Sequence, residues 1–227
     1  MARLTIGEMI ERVPEGQSQV FERLSADPGE ERFFQVWQNW DYRPGRLEWR
    51  NYPGEDKPCL AARNLRARSV TTIPAPDTIF KGPSSHVVDF YGTGSGAFFI
   101  SDSLLRLIEE VDPGSLERVD FRLRAKDGEL PFHAVMPRRI VEAIDTRRTT
   151  VAIKDEDYAG WYFRTVRFPE GIFFDDEALR GAASFSDFDA PGWYWSKELL
   201  DLAARRGIRG LYARSVASPN GREVVRL

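Results

Sequence analysis

The apolar positions of the chain repeat most plainly in two stretches. The first reads Phe98-Phe99-Ile100-Ser101-Asp102-Ser103-Leu104-Leu105-Arg106-Leu107, the second Trp193-Tyr194-Trp195-Ser196-Lys197-Glu198-Leu199-Leu200-Asp201-Leu202. In both, an aromatic-rich run meets a serine, two polar residues, a Leu-Leu pair, a polar residue and a further leucine. A serine side chain in that place can accept from the free N–H groups of a first helical turn. Leu104, Ile108 and Val111 then share one helical face, as do Leu199, Ala203 and the aliphatic stem of Arg206. A short strand pattern follows each: Val119, Phe121 and Leu123 in one case, Ile208, Leu211, Tyr212 and Val216 in the other. The pattern predicts a pseudo-repeat, residues 98–121 and 193–216. Each unit is an extended segment, a serine-capped helix, a turn and a strand.

Elsewhere the periods are shorter. Residues 1–31 read as an N-terminal helical arm. Thr5 to Glu8 forms a capping box before Met9 and Ile10, and Pro14-Glu15-Gly16 breaks the segment. Val20, Phe21 and Leu24 predict a second short helix, ended by Asp27-Pro28-Gly29. Phe33 to Trp40 is a strand pattern, and Leu47, Trp49 and Tyr52 continue extended after the turn Arg43-Pro44-Gly45. Leu60 to Leu65 reads as a short helix. Val87 to Tyr91 is a strand leading into Gly92-Thr93-Gly94-Ser95-Gly96. Lys126-Asp127-Gly128-Glu129 is a hairpin turn between alternating strands. Thr149 to Ile153 and Trp161 to Val166 are further strands. Asp175-Asp176-Glu177 opens a short helix through Leu179, and residues 210–225 close the chain as a hairpin. The expected fold class is α+β, with a mixed or antiparallel sheet. No linker divides residues 32–227, which are expected to form a single domain.

Composition narrows the chemistry. The chain has 227 residues, 42% hydrophobic and 30% charged, enough for a proper core. A net charge of −3 gives no general case for nucleic-acid binding. The single cysteine, Cys59, cannot close an internal disulfide and is consistent with a reducing, cytoplasmic setting. The N-terminus carries charges where a leader needs an apolar run, and no stretch is long enough to span a membrane. The glycines at 92, 94 and 96 imitate a dinucleotide-binding turn, but Ala97 to Ile100 separate them from the helix that should hold the pyrophosphate. His86 and His133 have no partner at metal-ligand spacing, and no Gly-x-Ser-x-Gly elbow occurs. No cofactor and no metal are expected, and Arg63, Arg66 and Arg68 read as a solvated basic face. The acidic runs Asp155-Glu156-Asp157 and Asp175-Asp176-Glu177 read first as loop solvation, then as acid–base pairs or as a negative surface for a basic partner.

These features together resemble a family, the bacterial immunity proteins of polymorphic toxin systems, specifically the myxobacterial-type immunity protein family eleven. The likeness rests on the aromatic segment from Phe33 through Tyr52, the glycine-rich lead into Ala97-Phe98-Phe99-Ile100-Ser101-Asp102-Ser103-Leu104-Leu105, Asp175-Asp176-Glu177 with Phe185, Trp195-Ser196-Lys197-Glu198-Leu199-Leu200, and Gly207-Ile208-Arg209-Gly210-Leu211-Tyr212. The resemblance implies a non-enzymatic protein that neutralises a cognate toxin domain encoded beside it, by stoichiometric binding, without nucleic acid or membrane. Asp155, Glu156, Asp157, Asp175, Asp176 and Glu177 are the candidate partner-binding residues under that reading. Two other readings stand beside it: a nucleotide-binding enzyme using the Gly92–Gly96 loop, and a scaffold or regulatory protein that forms homo-oligomers through its N-terminal arm.

Overall fold

The structure is a computed structural model. It describes residues 4–25, 27, 29–39, 46–52, 69–93, 96–158, 161–218 and 223–227, apart from the side chains of residues 157, 158 and 161–163. The fold is α+β, with three α-helices and three sheets among the described residues. Strands are numbered in chain order.

One six-stranded sheet has the order β3-β4-β7-β8-β6-β5. Its strands are β3 (Leu47–Trp49), β4 (Thr78–Phe80), β5 (Phe90–Gly92), β6 (Phe98–Ser101), β7 (Leu116–Ala125) and β8 (Gly128–Pro137). The long β7–β8 hairpin closes at Ala125 and Gly128, where the turn chemistry predicts it. The second six-stranded sheet has the order β15-β14-β2-β13-β12-β9. It contains β2 (Phe33–Gln38), β9 (Ile140–Val141), β12 (Ser184–Asp187), β13 (Trp193–Ser196), β14 (Leu211–Arg214) and β15 (Glu223–Arg226). A smaller antiparallel sheet joins β1 (Gln19–Phe21), β10 (Val151–Tyr158) and β11 (Trp161–Arg167). Pairing is antiparallel except at β4–β7 and β9–β12.

The helices are α1 (Ile6–Arg12), α2 (Asp102–Val111) and α3 (Lys197–Arg205). Ser101 Oγ accepts from Leu104 N–H at 3.2 Å, and Ser196 Oγ accepts from Leu199 N–H at 3.2 Å. β6, α2 and β7 form a crossover that leaves β8 between its two strands, antiparallel to both. β13, α3 and β14 do the same around β2. The two helices pack on each other, and one core joins both sheets. Phe90, Ile100, Leu104 and Ile108 meet Trp193, Trp195, Leu199 and Leu211 there, all fully buried. Burying each such side chain contributes roughly 1.5–3 kcal/mol. Trp193 Nε1 donates to Ser184 Oγ at 2.6 Å, and Tyr194 Oη donates to Ala190 O at 2.8 Å. Burial also pushes the Tyr194 hydroxyl pKa upward.

Asp89 ties the two crossovers. Its Oδ1 accepts from Ser101 Oγ at 2.6 Å, and its Oδ2 accepts from Arg209 N–H at 2.9 Å. Asp112, just past α2, reaches the second sheet. Its Oδ2 accepts from Ala183 N–H (2.9 Å), Ser184 N–H (3.0 Å) and Arg139 Nη1 (2.8 Å), while Arg139 Nη2 donates to Oδ1 at 3.2 Å.

Two local expectations are corrected. Val20 and Phe21 lie in β1, paired with Ala152 and Val151 of β10, where sequence predicted a helix. A three-residue stretch facing an open strand edge gains more from the ladder than from one helical turn, whose nucleation is costly. Asp175 to Leu179 forms turns: Asp175 Oδ1 accepts from Glu177 N–H and Ala178 N–H, and the ladder of bonds goes no further into a helix. Leu47 to Trp49 is extended as expected, in a different sheet from β2, and the turn Arg43-Pro44-Gly45 between them lies outside the described residues. The predicted capping box is present, with Thr5 N–H donating to Glu8 Oε2 at 2.7 Å and Glu8 N–H to Thr5 Oγ1 at 3.1 Å. Ile6, Met9 and Val13 are buried in a cluster with Phe33, Ile144 and Val151, so α1 packs into the body. The Leu60–Leu65 segment, Cys59, and Arg63, Arg66 and Arg68 lie outside the described residues.

Candidate functional site

Described residues form an open groove of about 980 Å³. Backbone bonds set its walls. Lys197 N–H donates to Arg32 O at 3.0 Å, and Ser196 N–H donates to Ala183 O at 2.8 Å. These bring the residues before β2, the turns before β12 and the start of α3 around one space. The end of α2 adds Glu110 and Val111. Phe33, Val111, Leu179, Ala183 and Leu202 supply the apolar lining, and charged side chains supply most of the rest.

Six carboxylates line the groove, at Glu30, Glu31, Glu110, Asp176, Glu177 and Glu198, against four cations, at Arg32, Arg180, Lys197 and Arg205. Their commitments differ. Glu31 is fully engaged: its Oε1 accepts from Ser215 Oγ (2.9 Å), Val216 N–H (2.8 Å) and Ala217 N–H (3.1 Å). Asp176 faces Arg32 at 3.5 Å, and Glu177 faces Arg180 at 3.6 Å, all at or above half exposure. Exposed pairs of this kind stabilise by about 0–1 kcal/mol, so a partner can exchange them at little cost. Glu30 and Glu198 make no hydrogen bond or ion pair among the described residues. The groove can therefore offer carboxylates to an incoming cation.

The structure separates the six acidic residues singled out from sequence. Asp176 and Glu177 line the groove. Asp175 caps the turn beside it. Asp155 lies on β10, where Arg164 Nε and Nη2 donate to it at 2.7 and 2.8 Å and Gly16 N–H at 2.7 Å. Those hydrogen bonds, Arg164's first among them, hold its carboxyl pKa down at about 2. Glu156 is paired with Arg167 on the neighbouring strand. The Asp157 side chain is outside the described residues. Glu30 and Glu198 are groove residues that sequence reasoning did not single out. A lone glutamate before a strand and one in a helix's first turn carry no signal until the fold brings both to one groove.

The glycine-rich segment departs from a dinucleotide turn. β5 and β6 are an antiparallel hairpin, with Gly92 opposite Phe98, so β6 stands between Gly92 and α2, while Gly94 and Ser95 lie outside the described residues. Gly92 N–H donates to Gln38 Oε1 at 3.0 Å, and the first turn of α2 is capped by Ser101. His133 is buried on β8, with Nδ1 2.8 Å from Asp120 Oδ1. Among the described residues no group of three or more His, Cys, Asp or Glu side chains could hold a metal ion. No helix among them is long and apolar enough to cross a membrane.

A comparison with curated proteins returns no match. The family model described as "Immunity protein family (Imm11)" matches residues 35–210. That span runs from β2 through the groove-lining turns to the residue before β14, well over half of the chain. It takes in both serine-capped helices and most of the shared core, and on that match the chain belongs to the immunity protein family Imm11.

Proposed function

We propose that the chain protects a bacterial cytoplasm by binding. It neutralises a toxin domain encoded beside it through one-to-one occlusion of the toxin's working surface, without catalysis or cofactor. The observation that carries this reading is the Imm11 match across residues 35–210. The groove supports it, because its exposed, weakly paired carboxylates suit a basic protein surface such as a nucleic-acid-cleaving toxin presents. Within the six acidic candidates the proposal centres on Asp176 and Glu177, extended to Glu30 and Glu198. The serine-capped units 98–121 and 193–216 belong to the same reading as a pseudo-repeat within one domain, supported by their matching crossover topology.

The test is co-expression. The toxic C-terminal domain of the neighbouring secreted protein is expressed with and without this chain, and growth and co-purification are followed. Rescue with a stable complex is the expected result. Rescue without a complex would replace occlusion with an enzymatic repair, and no rescue would remove the immunity reading. In the complex, joint reversal of Glu30, Asp176, Glu177 and Glu198 to Lys should weaken affinity at least tenfold. Unchanged affinity would remove the groove.

A further inference from the structure

The outer face of the second sheet carries a second arrangement that the groove does not use. Phe34, Val36, Leu211 and Ala213 point into the shared core, so their neighbours Gln35, Trp37, Tyr212 and Arg214 face the other way. Trp37 stands opposite Tyr212, and Gln35 opposite Arg214. Trp37 is 39% exposed, in a strand whose other aromatic residues are buried. Arg214 lies over its ring, with the guanidinium carbon 5.0 Å from the centroid. Gln35 Oε1 accepts from Arg214 Nε at 3.2 Å and from Nη2 at 2.8 Å. Gln35 is itself buried and boxed in, since a Cβ on Gly192 would come within 2.3 Å of its amide nitrogen. The guanidinium is thus held over the ring and oriented by a neutral acceptor.

Among the described residues Arg214 faces no carboxylate within ion-pair distance. Glu223, its neighbour across β14–β15, is bound to Arg226 instead. A fixed arginine stacked on an exposed tryptophan, beside a half-buried tyrosine, is the residue set that dominates binding energy at protein interfaces. The unmatched positive charge determines the partner's chemistry.

Resting on the immunity reading above, we infer that Trp37, Tyr212 and Arg214 form a docking platform for the toxin domain. The platform takes a toxin surface that offers a carboxylate to Arg214 beside an apolar side chain packed on Trp37. It is separate from the groove, which lies at the start of β2, whereas Trp37 lies near its end. The toxin is therefore gripped at two places of opposite charge preference, which fixes its orientation as well as its affinity.

The test uses the full chain and the catalytically inactivated C-terminal domain of the neighbouring secreted protein, with affinity measured by calorimetry. Trp37→Ala and Arg214→Glu should each weaken binding at least tenfold. Arg214→Lys should fall between them and wild type, because an ammonium cannot reproduce the stacked fork. Trp37→Ala serves if Arg214→Glu disturbs the Gln35 contact and unfolds the sheet, which a thermal melt reports. Wild-type complex formation with both variants binding within twofold of wild type overturns the platform and leaves the immunity reading standing. A wild-type chain that is dimeric in solution, and monomeric as Trp37→Ala, overturns it in favour of a second copy as the occupant. No complex with wild type overturns both.

Discussion

Replacing Asp112 by Ala should be among the most damaging changes away from the aromatic core. The carboxylate is buried and accepts four hydrogen bonds, two from the Ala183 and Ser184 backbone and two from Arg139. Truncation orphans the two backbone donors, both on buried residues. Each unsatisfied buried donor costs about 1–3 kcal/mol, so the pair costs roughly 2–6 kcal/mol. Arg139 loses less than the backbone donors do, because its half-buried guanidinium can turn toward water. For a chain of this length each kcal/mol lowers Tm by about 2–4 °C, which places the expected fall near ~12 °C. Arg139→Ala should cost less, roughly 1–3 kcal/mol, since Asp112 keeps both backbone donors but loses its cation, and Ser184 O loses the Arg139 donor. Urea titration with circular dichroism measures both variants against wild type. A cost for Asp112→Ala no larger than that for Arg139→Ala would refute the reasoning, because the backbone donors would then not be what the carboxylate serves.

Three further outcomes are expected. Ser196→Ala should lose about 1 kcal/mol of stability through its helix cap, and Ser101→Ala should lose more, because Ser101 Oγ also donates to Asp89 at 2.6 Å; equal losses in chemical denaturation would contradict the second role. Gly210→Ala should destabilise by about 2–4 kcal/mol, since Gly210 has φ +96° and a Cβ there would sit 2.5 Å from Val88 Cγ2; a wild-type melting temperature would show that this junction yields freely. Asp155 has a folded pKa of about 2, below its ordinary 3.8. Its contribution is therefore complete above the ordinary value and is lost as pH falls toward 2. Asp155→Asn should flatten stability between about pH 4 and 2 relative to wild type; parallel pH profiles would show that the Arg164 contact does not couple to folding.

Much of the local architecture was legible in the sequence because it is written in near neighbours. The Thr5–Glu8 capping box, the two serines before Leu-Leu and the Asp127-Gly128 turn each involve residues within a few positions of one another, and each is present. The errors lie where a distant partner decides. Val20 and Phe21 are a strand only because β10 offers an edge. Asp175 spends its carboxylate on a turn, so the acidic start does not become a helix. The candidate site was legible only in part for the same reason. The two acidic triplets look alike as sequence, yet cross-strand arginines take Asp155 and Glu156, while Asp176 and Glu177 face an open groove. The Trp37–Arg214 stack joins positions 35–37 to 212–214, and no local pattern announces it.

The placement of β2 has a consequence for how the chain is made. Among the described residues β2 pairs only with β13 and β14, and the Gln35–Arg214 contact spans 179 residues. The β7–β8 hairpin and its sheet can assemble while synthesis is still under way, because their partners are close in sequence. Phe33, Phe34 and Val36, by contrast, emerge early and stay without sheet partners until residues 193–214 have left the ribosome. Between the emergence of β2 and that of β13 the nascent chain thus carries an apolar strand without its sheet partners. That interval is when proteases and chaperones compete for it, so slow translation of the middle of the gene lowers the yield of active protein without changing a single residue of the finished molecule.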